Sequence, residues 1–160
     1  MLQGHYQNAY VTHDIDAAIA LMRDRYGLEG FNVFDPELTL ETPSGPRVQK
    51  VKAGCAWAGG MQIELIEPVH GFIEPFLDVL PADKSDVVPR FHHISLRRDD
   101  LDGMMREARE CGLEYICSGG IPDLQFVYLD GRASLGHIVE FVWASEAGWN
   151  MVGWPEGRPA

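Results

Sequence analysis

Cysteine is scarce in this 160-residue chain, and the three present, Cys55, Cys111 and Cys117, form no C-x-x-C pair. An odd count without paired spacing argues against a disulfide framework or a zinc-thiolate site, and points to reduced thiols in a cytosolic setting. Basic residues are also short: 13 Lys and Arg stand against 24 Asp and Glu, a formal charge of -11. They are scattered, so no stripe exists to neutralise a phosphate backbone, and nucleic acid is excluded as a partner. No apolar run approaches the roughly 20 residues that a bilayer span needs. The opening MLQGHYQNAY lacks the basic stretch and apolar core of a signal peptide. The expectation is a cytoplasmic protein without a membrane or nucleic-acid partner.

What the chain does have is enough apolar substance to fold without staples. Hydrophobic residues make up 46% and charged residues 23%, the balance of a globular protein and not of a disordered one. The length suits one ordinary domain, or two small modules sharing a core.

An internal repeat gives the organisation. QNAYVTHDIDAAIALMRDR from Gln7 lies on HISLRRDDLDGMMREAREC from His93, an offset of 86 that sets Asp14 on Asp100 and Arg23 on Arg109. Both copies then run into Gly-Leu-Glu, at Gly27 and Gly112. Each opens with a strand-like run, Gln7 to Thr12 and His93 to Arg98, followed by an acidic residue suited to cap a helix. Ile15, Ala18, Ile19 and Met22 share one face of the first helix, as Leu101, Met104, Met105 and Ala108 do in the second. Further strands follow in each copy: Arg47 to Ala58 and Met61 to Ile66, then Leu124 to Leu129 and His137 to Trp143, with turns at Gly59-Gly60 and Asp130-Gly131. The pattern predicts an α+β fold of two tandem βαβββ modules, at about 5–67 and 91–143. Between them a proline-rich connector, 68–90, carries one short helix at Phe72 to Leu80. A tail over 144–160 brings Trp149 and Trp154 to pack on the body or on a partner subunit.

The repeat makes Gln7 and His93 equivalent, and sets Glu64 and Glu140 in the last strand of each module. Side chains alternate across a strand, so Ile63 and Leu65 face the helix and Glu64 faces away. Val139 and Phe141 leave Glu140 on that same opposite face, and Ile94 and Leu96 do so for His93. A carboxylate in an apolar strand is costly unless it is paired, protonated or bound to a metal. Each residue alone has an ordinary explanation, as a solvent-facing glutamate, a polar strand residue or a hydrogen-bonded core histidine. Together, four candidate ligands from four related strand positions point to a metal site. Parity sets His92 opposite His93, in a supporting or core role, and His137 beside Val139 in packing. His5, His13 and His70 read as surface or loop residues, and Arg97-Arg98 as a solvated strand end or a binder of an acidic substrate group.

The motifs Gln7-Asn-Ala-Tyr-Val-Thr-His-Asp14, Gln62-Ile-Glu64-Leu-Ile-Glu-Pro, His92-His93-Ile-Ser and His137-Ile-Val-Glu140-Phe resemble the vicinal oxygen chelate superfamily. That group contains glyoxalase I, methylmalonyl-CoA epimerase, extradiol dioxygenases and antibiotic-resistance proteins, and the likeness extends from about Gln7 to Trp143. The resemblance implies a cupped mixed sheet and one divalent ion held by Gln7, Glu64, His93 and Glu140. Gln7 and Glu64 look like one branch of glyoxalase I, whereas the Gln-Ile-Glu-Leu-Ile-Glu-Pro run and the His-His-Ile run look closer to the epimerases.

One imidazole nitrogen and three side-chain oxygens form a fairly hard set that suits Mg, Mn, Co, Ni or Zn, with two positions left for substrate oxygens. The implied activity is that of an isomerase, epimerase or lyase that moves a proton beside a carbonyl through a metal-stabilised enolate. Glu140 would be the principal base and Glu64 its partner. An Fe(II) extradiol-type dioxygenase is a weaker fit, because Gln7 replaces a histidine of the two-His, one-carboxylate triad. A non-catalytic module that sequesters an aromatic or drug-like molecule is the third reading. The expected partners are a small-molecule carbonyl or thioester substrate and, by analogy with the family, a second copy in a homodimer.

Overall fold

The computed structural model describes residues 1–155. The first half runs β1 (His5–Val11), α1 (Ile15–Tyr26), β2 (Asn32–Phe34), β3 (Glu37–Leu40), β4 (Arg47–Ala58) and β5 (Met61–Gly71). After a short helix, α2 (Glu74–Leu77), come β6 (Arg90–Arg98), α3 (Leu101–Glu110), β7 (Glu114–Ile121) and β8 (Leu124–Asp130). The chain continues through α4 (Arg132–Leu135), β9 (Ile138–Ala144) and α5 (Glu146–Met151).

Among the described residues all nine strands join one mixed sheet, in the order β2-β4-β5-β1-β6-β9-β8-β7 with β3 also on β4. In each half the first strand pairs in parallel with the last, β1 with β5 and β6 with β9, while β1 and β6 meet antiparallel at the centre. The sheet curls until its far ends touch: Glu41 exchanges two backbone hydrogen bonds with Ser118 of β7, at 2.9 and 3.0 Å. This is the α+β sheet that the repeat predicts, cupped as the resemblance implies.

Local chemistry sets the helices on the convex side. Asp14 and Asp100 cap α1 and α3, accepting from Ala17 N and Gly103 N at 2.9 Å each. Helix α1 buries Ile15 and Ala18 against Leu65, and α3 buries Met104 and Ala108 against Leu96, Val139 and Phe141. Each such buried Leu, Met or Phe contributes roughly 1.5–3 kcal/mol. Because these residues go to the helices, Glu64, Ser95 and Glu140 are left to the concave face.

Several expectations are corrected. Strand β5 runs past Ile66 to Gly71, through Pro68. Pro68 falls where β1 has ended and beside a register shift in the β4 pairing, positions where a proline is tolerated. Gly71 sits at φ 82°, and a Cβ there would meet Val48 O, so only glycine fits this corner. The connector helix spans Glu74–Leu77 and not Phe72 to Leu80. The Asp130-Gly131 turn opens into α4, so the last strand begins at Ile138. Arg97 and Arg98 are not solvated: Arg97 lies over Trp149 and Trp154 at 4.6 and 4.4 Å, and Arg98 over Phe141 at 4.2 Å while pairing with Glu107. The tail packs on the body, with Trp149 edge-on to Tyr6 at 5.4 Å; the expected 156–160 part of it lies outside the described residues. Among the described residues no helix is long and apolar enough to cross a membrane.

Candidate metal centre

The four candidates ride on the four central strands, β5, β1, β6 and β9, and their side chains converge. His93 Nε2 stands 3.6 Å from Glu64 Oε2 and 3.4 Å from Glu140 Oε2. Gln7 joins through Ser95, whose Oγ touches Gln7 Oε1 and lies 2.5 Å from Glu140 Oε2. Gln7, His93, Ser95 and Glu140 are buried, and the Glu64 side chain is 16% exposed at the edge of the cavity.

Two chains of hydrogen bonds, each starting at a backbone carbonyl, decide which atoms face the centre. In one, His92 Nε2 donates to Pro75 O at 2.9 Å, since a carbonyl only accepts. Burial holds both imidazoles neutral, lowering His92 and His93 to about 3 each, with a smaller contribution from a neighbouring histidine in each case. His92 Nδ1 is therefore bare and accepts from His93 Nδ1–H at 2.8 Å, leaving the His93 Nε2 lone pair aimed inward. In the other chain, Gln62 Nε2 donates to Val152 O at 2.8 Å, and Gln62 Oε1 accepts from Gln7 Nε2 at 2.8 Å. That fixes the Gln7 amide with its oxygen toward Ser95 and the centre. The contact between His92 and His93 corrects the parity reading. Ala9 pairs with His93 and Tyr10 with Phe91, so His92 is the extra residue of a bulge and turns to its neighbour's side.

The electrostatics of this cluster are unbalanced as it stands. His93 Nε2 is fully buried, lacks a hydrogen-bond partner, and faces two carboxyl groups. Burial raises Glu64 well above the usual carboxyl range, and the charge of Glu140 raises it further. Burial also raises Glu140, which the Ser95 hydroxyl partly offsets. One hydroxyl has one proton to give, so Ser95 satisfies both Gln7 and Glu140 only when Glu140 carries a proton. A divalent cation would replace such protons and give the lone pair a partner. Ligand atoms about 2.1 Å from one ion stand roughly 3.0–3.4 Å apart, close to the separations here. Among the described residues no group of three or more His, Cys, Asp or Glu side chains stands so that it could hold a metal ion; Ser95 takes up an oxygen of Glu140 and of Gln7. The donor types and the orphaned nitrogen fit a divalent ion.

Ser95, Gln62, Cys55 and Tyr128 were not among the candidates read from sequence. Ser95 shares the parity of His93 and Gln62 that of Glu64, which is the signal that could have found them. Cys55 lies 3.9 Å from both Glu64 and Gln7, and the Tyr128 ring 5.0 Å from that of His93. His137 packs on Phe91, His5 bonds Asn8, His13 bonds Pro81 O and His70 faces Glu37; none reaches the centre.

Two related halves, the first with one strand more than βαβββ, share a sheet with polar side chains gathered on its concave face; this defines a class of fold, and sequence comparison gives the family. Residues 6–128 match the model of the glyoxalase/bleomycin resistance protein/dioxygenase superfamily, and the chain belongs to it. Among solved structures, the chain is similar to a variant of Streptomyces coelicolor methylmalonyl-CoA epimerase in complex with 2-nitronate-propionyl-CoA, at 17% identity and TM-score 0.62, covering 91% of this chain and 99% of that one. It is also similar to a hypothetical protein from Bacillus halodurans C-125, at 22% identity and TM-score 0.60, covering 89% and 94%. Methylmalonyl-CoA epimerase from Mycobacterium tuberculosis aligns at 18% identity and TM-score 0.57, covering 90% and 89%. At these identities the likeness is one of fold. No curated protein matches the chain.

Proposed function

We propose that this chain is a divalent-metal-dependent isomerase, epimerase or lyase that moves a proton on the carbon beside a carbonyl. The observation that carries the reading is His93 Nε2, a buried lone pair without a hydrogen-bond partner, facing Glu64 and Glu140. A divalent ion held by Gln7, Glu64, His93 and Glu140 would supply Lewis acidity, stabilising the charge that grows on the carbonyl oxygen as the carbon gives up its proton. The residues do the rest. Glu140, held at one oxygen by Ser95, is the principal base, and its other oxygen meets the substrate carbon. Glu64, with a thiol at 3.9 Å and no hydroxyl to clamp it, is free to swing and to return the proton from the opposite flank. All three cysteines are free, which suits the cytoplasmic setting we infer, and a homodimer is the assembly we propose by family likeness.

Metal analysis of the purified chain beside Glu64→Ala and Glu140→Ala tests this reading. The expected result is about one equivalent of divalent metal, lost in both variants, as a single shared ion requires. Failure to take up Mg, Mn, Co, Ni, Zn or Fe(II) would sink it and favour a non-catalytic binding module.

A further inference from the structure

We propose that the substrate's body, beyond the oxygens that meet the metal, is uncharged and apolar: a small ring compound and not a coenzyme A thioester. The role of the oxygens rests on the metal-enzyme reading above; the nature of the body rests on the cavity alone.

The concave face leaves a cavity of about 260 Å³ with Gln7, Glu64 and Glu140 in its lining. That volume lies just below the usual range for sites that take drug-sized ligands. Val51, Ala53, Phe126 and Val142 contribute walls, and Ile121 and Met151, 38% and 42% exposed, leave apolar surface at the mouth. Among the described residues the lining contains no Lys or Arg, and its only charged side chains are the two glutamates.

Cations stand nearby but are turned elsewhere. Alternation along β4 sends Gln49, Val51, Ala53 and Cys55 into the cavity, and so turns Lys50 and Lys52 to the far side. There they pair with Asp35 and Glu67, at 2.9 Å each. Arg47 pairs with Glu74 and covers Phe72, and Arg97 covers the two tail tryptophans. A ligand whose body carries phosphates would thus meet no counter-charge at floor or rim, on a chain of net charge -11. A neutral ring would instead bury its faces against these walls.

The test is calorimetric titration of the full chain, both metal-free and loaded with Mn(II). The probes are α-hydroxyacetophenone, a neutral ring with adjacent hydroxyl and carbonyl oxygens, and methylmalonyl-CoA. The ring ketone is expected to bind at least about tenfold tighter in both forms. Ala53→Phe, which fills the cavity from β4, should weaken it about tenfold or more while Mn(II) uptake and circular dichroism stay unchanged. Ile121→Lys, at an exposed rim position with little hold on folding, should shift the preference several-fold toward methylmalonyl-CoA. Equal or tighter binding of methylmalonyl-CoA to the unmodified chain overturns the proposal. So does ring-ketone binding that is absent at millimolar concentration, or indifferent to both substitutions. If no Mn(II) binds but the ring ketone still does, the metal reading falls and the apolar occupant stands.

Discussion

The two halves of the sheet bring a glutamate to the centre by the same strand order and then surround it differently. Glu64 on β5 lies opposite Ala9 of β1, and Glu140 on β9 lies opposite Ser95 of β6. Ala9 and Ser95 are themselves related by the repeat offset of 86. On the outer side Glu64 has Cys55 as its cross-strand neighbour, and Glu140 has Tyr128. Both face His93 Nε2, but one carboxyl group is also clamped by a hydroxyl, whereas the cross-strand neighbours of the other are a thiol and an alanine. The donors beside them differ as well, since an amide of Gln62 orients Gln7 and an imidazole of His92 orients His93. Strand order decides where a donor arrives; its cross-strand and bulge neighbours decide which atom it presents.

The largest expected effect tests the division of labour between the glutamates. Glu140→Gln should lower solvent proton exchange into a substrate by about 10³-fold, within the range of a lost general base. Glu64→Gln should cost about 100-fold, the lower end of that range. Both are read by deuterium incorporation, with circular dichroism to check the fold. Equal losses would erase the distinction between a clamped and a free carboxylate.

Next come the two orienting chains. His92→Phe should fit beside Phe76, whose ring centre lies 4.9 Å away, yet it removes the acceptor that holds His93 Nδ1–H. Metal affinity should fall by about 100-fold, the upper end for a lost supporting contact. Gln62→Leu should cost only about tenfold, because the Gln7 amide can still turn its oxygen inward. Titration with Mn(II) or Zn(II) checks both. If Gln62→Leu proves the more damaging, the amide chain and not the imidazole chain governs the centre.

Much of this was legible in sequence, for one physical reason. Strict alternation around Glu64 and Glu140, with Leu65, Val139 and Phe141 buried on helices, fixes a face without knowledge of neighbours. What alternation cannot express was missed. A bulge at His92 breaks the period, so its side chain turns to the site against its parity. Ser95 shares the parity of His93, but parity gives only its face; that it joins Gln7 to Glu140 depends on neighbours from two other strands. Arg97 and Arg98 read as a solvated strand end because Trp149 and Trp154 reach Arg97 from the tail, and Glu107 reaches Arg98 from the next helix. The reach of Val152 to Gln62 spans 90 residues, a connection that no local pattern contains.

The smallest effect is also the sharpest test of the comparison between halves. Exchanging the two related residues, as Ala9→Ser with Ser95→Ala, moves the hydroxyl from Glu140 to Glu64 while keeping the total polarity of the buried face. Ser95→Ala alone should cost about 1 kcal/mol, the worth of one buried hydrogen bond, or roughly 2–4 °C in Tm for a chain this size. In the double variant the penalties of Glu140→Gln and Glu64→Gln should approach one another, because the two carboxylates would have traded neighbours. A coupling of about 1 kcal/mol, near fivefold in rate, is expected between Ser95 and Glu140 in such a cycle. If Glu140→Gln stays as damaging in the exchanged background as in the original, the clamp is not what singles out Glu140. Its position against the His93 lone pair, 3.4 Å away against 3.6 Å for Glu64, would then have to carry the difference.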